Sequence, residues 1–222
     1  MKVKLLTLLI LVMSIIYIFF IPAEPFGIKL LFKLIPMWLI IYFAYLQKPA
    51  EGHKNKGLIL TGLFFCMLGD GLLHWFIIGL SFFLIGHIIY IAGFLRRWNF
   101  SKIRLLSIFP LLAFDLIIGN KLINALQETG NDGLIIPVVI YIGAISFMAW
   151  AAFMTGNLYA VIGSLLFVIS DTILSWNMFI SDVPYSHFLI MSTYYAAQYT
   201  IASSISKTSG LTTPLRIKPL RG

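Results

Sequence analysis

Two carboxylic acids stand where a hydrocarbon environment gives them nothing to bond. Asp70 lies inside "GLFFCMLGDGLLHW", residues 62–75, and Asp171 inside "VIGSLLFVISDTILSW", residues 161–176. An ionised Asp in the middle of a membrane helix costs about 2.5 to 3.5 kcal/mol, so such a residue normally faces a cavity or a partner. Two carboxyls brought together away from water hold one proton between them near neutrality, which sets a general acid beside a general base. His87 could relay a proton or hold a carboxylate, with Tyr90 one turn further along the same face. Lys33 could balance the pair or bind a phosphate as a point charge. Tyr195 and Gln198, in "TYYAAQYTIASS", could line the same cavity. Each has a structural rival: the two Asp and His87 could only bridge helices, Lys33 could snorkel to headgroups, and Tyr195 could be an interfacial anchor.

The elements that carry these residues are membrane spans. Of the 222 residues, 60% are apolar and 11% charged, and the mean hydropathy is +0.96. Eight apolar runs approach the ~20 residues that a helix needs to cross a bilayer. They are 5–21, 28–46, 57–75, 76–95, 103–118, 134–154, 158–177 and 185–205. The expected fold is therefore all-α, a polytopic membrane bundle of eight transmembrane helices forming one domain over 1–205, followed by a basic tail, 206–222. Lys2 and Lys4 before the first run resemble a signal peptide, but "IFFIPAEP" offers no small-x-small cleavage site, so the run is read as a retained span. The net charge of +8 is spread over short loops and not gathered on one aromatic-studded face, which excludes a nucleic-acid partner. Thirteen of the sixteen basic residues fall at the amino end, in the second and fourth loops and in the tail. All four lie on one side of an eight-span chain, so both termini are expected to be cytoplasmic. The lone Cys66 allows no intramolecular disulfide or multi-thiolate site.

In that frame Lys33, Asp70 and Asp171 sit at one level, about 8 to 9 Å below the outer end of their spans at about 1.5 Å per residue. A polar pocket opening to the outer half of the bilayer is the common explanation. The two Asp segments also align with each other at a constant offset of 101, pairing Gly62 with Gly163, Asp70 with Asp171, Leu73 with Leu174 and Trp75 with Trp176. The same offset pairs Pro36 with Pro137. Four spans separate the copies, so this reads as a four-plus-four parallel pseudo-repeat with the carboxyls facing each other.

Gly69 and Asp70 followed by Leu73, the "GHIIY" of 86–90, Ser170 and Asp171 followed by Leu174, and Lys33 with Pro36 together resemble the YhhN-like family, whose members include lysoplasmalogenases. The resemblance runs from about the second span through the eighth. It implies a multi-pass enzyme of a cell membrane, expected to be a bacterial cytoplasmic membrane. Its substrate would be a lysophospholipid, a lysoplasmalogen whose vinyl ether is hydrolysed to a fatty aldehyde and glycerophosphocholine or glycerophosphoethanolamine. The chemistry suits the residues: one of Asp70 and Asp171 protonates the β carbon and the other serves the water. Which is acid and which is base stays open. No cofactor or metal is expected, since there is no His-x-x-x-His or thiolate cluster, phosphate-cradling glycine loop, dinucleotide fingerprint or serine elbow. The competing class is a small proton-coupled transporter, which also joins a parallel repeat to acidic residues near its core. Hydropathy does not set an oligomeric state.

Overall fold

A computed structural model describes residues 2–50 and 55–206, and every apolar run in it is a helix. The elements are α1 (Lys2–Phe20), α2 (Phe26–Leu46), α3 (Lys56–Leu72), α4 (Phe76–Leu95), the short α5 (Lys102–Leu106), α6 (Ile108–Glu128), α7 (Ile135–Thr155), α8 (Leu158–Phe179) and α9 (Ser186–Ser203). A single 3-10 turn, Asp132–Leu134, precedes α7, and no strand occurs among the described residues. Helices satisfy their backbone groups internally, which is what lipid demands of an open chain. The basic tail expected at 206–222 lies outside the described residues from position 207 onward.

The fifth span differs most from its expected limits. The run expected to stop at Ile118 continues as α6 to Glu128. Asn120 and Lys121 look like a loop in sequence, but Asn120 points outward and the Lys121 ammonium lies over the Trp176 ring, 5.5 Å from its centroid. Leu122 and Leu126 are fully buried on the opposite side, and their burial carries the helix onward.

Six segments are long and apolar enough to cross a bilayer: α1, α2, α4, α5 with α6, α7 with its preceding turn, and α8. The other two long helices, α3 and α9, are shorter or more polar. α3 has only 17 residues, and α9 carries Ser, Thr, Tyr and Gln along its length. Helices α2, α3, α4, α7, α8 and α9 neighbour one another in that order around a ring that closes from α9 back to α2. α1 packs outside it on α2 and α9, α6 packs outside it on α7 and α8, and α3 also reaches α9 across the middle.

Two local devices set the register at which the site forms. The turn between α7 and α8 is tight because Gly156 adopts φ +66°, a conformation open to glycine, and Asn157 caps α8 by accepting from the Ala160 N–H at 3.1 Å. Tyr141 stands fifteen residues before Gly156 and Asp171 fourteen after Asn157, so the antiparallel pair brings them to one height. On the other side, Gly79, Gly86 and Gly93 of α4 all face α3, where a Cβ would meet Leu73, Cys66 and Ile59. A Cβ at Gly79 would stand 2.6 Å from the Leu73 Cα, so backbone would have to move. Gly79→Ala is therefore expected to destabilise the bundle by about 1 to 3 kcal/mol. Gly57→Ala, where a Cβ meets nothing within 4 Å, serves as the neutral comparison. Thermal unfolding in detergent followed by tryptophan fluorescence checks both; equal melting temperatures would refute the close α3–α4 seam.

Candidate active site

A cavity of about 570 Å³ opens at the end of the bundle formed by the α1–α2, α3–α4 and α8–α9 connections. Its mouth is marked by Glu24, Lys29, His74 and His187, and its inner wall by Lys33, Asp70, Phe83, Asp171 and Tyr194. The two carboxyls that the sequence places at one level thus border one space.

The carboxyls have different partners. The Lys33 Nζ lies 3.1 Å from Asp70 Oδ1 and donates to the Asp70 carbonyl oxygen at 3.2 Å. The side chains are 15% and 4% exposed, so this is a nearly dry ion pair whose Oδ2 has no hydrogen-bond partner among the described residues. Asp171 has no ion-pair partner among the described residues; its Oδ2 accepts from the Tyr141 hydroxyl. Pro36 removes a rung of the α2 ladder next to Lys33. The Tyr195 hydroxyl donates to the Lys33 carbonyl at 2.7 Å and fixes that turn.

The remaining sequence candidates occupy other places. His87 is fully buried between Tyr141, at 5.2 Å between ring centroids, and Phe167, at 4.7 Å. Neither of its nitrogens has a partner among the described residues, so it reaches Asp171 only through the ring of Tyr141. Tyr90 donates to Gln198 Oε1 at 2.7 Å, and both are fully buried below the cavity floor. Tyr195 stands behind Lys33, packed edge-on against Tyr17. Of the four residues read as substrate-binding, Lys33 alone borders the cavity. Sequence reasoning passed over Tyr141, Tyr194 and Lys29, since a tyrosine in a span and a lysine at its end are both ordinary. It also passed over Asp115, although a carboxylate in an apolar run is the very signal that marks Asp70.

The sequence profile of the YhhN family matches residues 28–205, which include Lys33, both carboxyls, His87 and Gln198. The chain belongs to the YhhN family. Among its relatives, the human lysoplasmalogenase TMEM86B is 32% identical over 78% of this chain and 74% of its own length. The bovine lysoplasmalogenase TMEM86A is likewise 32% identical, over 82% of this chain and 80% of its own. The mouse lysoplasmalogenase TMEM86B is 27% identical over 92% of this chain and 87% of its own. No solved structure matches the chain. In this YhhN protein α1 lies wholly before the matched region, yet it contributes Tyr17 to the cavity wall.

Proposed function

We propose that this YhhN protein is a lysoplasmalogenase-like ether hydrolase of the membrane, converting a lysoplasmalogen and water to a fatty aldehyde and glycerophosphocholine or glycerophosphoethanolamine. The observation that carries the reading is the pair of carboxyls on one cavity wall with unlike partners, an ammonium for Asp70 and a neutral hydroxyl for Asp171. A neighbouring cation favours an ionised carboxylate. Asp70 accordingly serves as the carboxylate and Asp171 as the proton donor. Asp171 protonates the β carbon of the vinyl ether, and the ether oxygen shares the resulting positive charge with the α carbon as an oxocarbenium ion. Asp70 stabilises that cation and accepts a proton as water adds to the α carbon. The hemiacetal then collapses, its hydroxyl proton lost and the glycerol oxygen protonated, so acid and base are both restored. Lys29, one turn nearer the mouth than Lys33, is the better placed ammonium for the lipid phosphate. His87 acts as a positioning residue for Tyr141.

The same reading takes all eight long helices as spans, with both termini cytoplasmic and the cavity mouth at the outer surface. The supporting observation is the distribution of basic residues, with Glu24, Glu128, Asp132 and Asp182 on the mouth side. A four-plus-four arrangement is supported by matching neighbours: α1–α2 with α6–α7, α2–α3 with α7–α8, α3–α4 with α8–α9, and α4–α7 with α9–α2. Gly62 and Gly163 both sit at tight crossings, against Tyr90 and Ile201. Pro36 and Pro137 stay outside the repeat, being the eleventh residue of α2 and the third of α7.

The cavity is closed toward the opposite end of the bundle, where Cys66, His87, Tyr90 and Phe167 are fully buried. A site without an opening at that end suits hydrolysis. The direct experiment presents the purified protein in detergent with choline and ethanolamine lysoplasmalogens and traps the aldehyde. Release from either headgroup is expected, and no aldehyde from both refutes the hydrolase reading.

A further inference from the structure

Asp171 is a boundary as well as a wall. Behind it lies a second, mostly apolar space of about 70 Å³ among α4, α6, α7 and α8, bordered by Leu80, Leu122, Val138 and Ile145. Five residues border both this slot and the polar cavity, and Asp171 is the one charged group among the five. Further out, Asp115 and Ile142 border both the slot and an open groove of about 260 Å³ on the outer face of α6 and α7. Gly119 and Gly143 line that groove, and at neither would a Cβ meet any atom within 4 Å. The Ser146 hydroxyl donates to Asp115 Oδ1 and ties α7 to α6 beside the opening. Three spaces that share wall residues therefore lie side by side from the polar mouth, past Asp171, to the outer face of α6 and α7.

We propose that the hydrocarbon chain of the single-chain lipid substrate runs from Asp171 through this slot and reaches the bilayer between α6 and α7. The inference rests on the hydrolase reading for the position of the reacting atoms. A vinyl ether stands between a polar glycerol and an apolar chain, and Asp171 stands between a polar cavity and an apolar slot. A slot of 70 Å³ admits only the first few carbons, so the rest of a long chain needs an outlet, which the glycine-lined groove supplies. The other apolar groove of size, about 340 Å³ between α1 and α9, shares no lining residue with the polar cavity. The edge-on contact of Tyr17 and Tyr195 stands between the two.

The test uses Gly119→Leu and Gly143→Leu, where a Cβ meets no atom within 4 Å, with thermal unfolding in detergent confirming that each variant keeps the parent's fold. With a hexadecenyl lysoplasmalogen, kcat/KM is expected to fall by about tenfold or more in each, while an octenyl substrate is turned over as by the parent protein. Ala196→Leu, in the α1–α9 groove, is expected to change neither. Unchanged chain-length preference in both glycine variants, or a loss that is equal for both substrates, overturns the inference. So does a preference altered by Ala196→Leu alone. Labelling with an alkyl lysophosphocholine bearing a terminal diazirine supplies a readout independent of turnover. Adducts are expected within 108–128 and 135–155, and their absence from both segments overturns the chain path. Adducts there in a protein that releases no aldehyde would sink the hydrolase reading and leave the chain path standing.

Discussion

Asp171→Asn is expected to lower aldehyde release by about 10²- to 10⁴-fold, the range by which a positioned acid accelerates a proton transfer. The substitution is nearly isosteric, and the amide oxygen can still accept from the Tyr141 hydroxyl, so the α7–α8 contact survives. What it removes is a proton that can be given to carbon. Asp70→Asn is expected to fall as far by a different route, losing the charge that stabilises the cation and receives the proton of water. The two differ in a second measurement. A stable analogue with a quaternary ammonium in place of the ether oxygen should bind Asp171→Asn as tightly as the parent and Asp70→Asn much more weakly. Near-normal turnover in either variant, with an unchanged elution profile in detergent, removes that carboxyl from the mechanism.

Lys33→Met is expected to produce the largest loss of stability. The ammonium is Asp70's ion-pair partner, and the carboxyl is 4% exposed. Removing one member of a buried pair leaves a charge without compensation and costs about 3 to 5 kcal/mol, whereas removing both is close to neutral. Lys33→Met combined with Asp70→Leu should therefore recover most of the melting temperature lost by Lys33→Met alone, with no return of activity. A double-mutant cycle on thermal unfolding in detergent measures the coupling directly. Additive effects of the two changes would mean that the pair contributes no coupling and that Lys33 has another role.

The helices were legible in the sequence because lipid asks for one thing, a long apolar run, which six segments among the described residues supply. The end of α6 was not, because Asn120 and Lys121 read as a loop until Leu122 and Leu126 are seen to be buried beyond them. Lys33, Asp70 and Asp171 stood out because a charge in an apolar run is costly and must have a reason. Tyr141 gave no such signal. Its position opposite Asp171 follows from the length of two helices measured from a shared turn, which hydropathy does not count. Tyr90 and Gln198 lie in the same helices as cavity residues but further in, and they pair with each other. Periodicity names a face of a helix; it does not say how far down that face a pocket reaches.

The two openings on either side of Asp171 also bear on reversibility. One leads through Lys29, His74 and His187 toward water, and the other past Ile142 toward lipid. In the proposed reaction, cleavage at this boundary would yield a water-soluble glycerophospho compound on the cavity side and a fatty aldehyde on the side of the proposed chain path. Once they have left, they are dissolved in different phases, and no single concentration gradient brings both back. On the proposed path the two products leave into different phases, which makes their meeting again at the site rare and so slows resynthesis without altering the equilibrium.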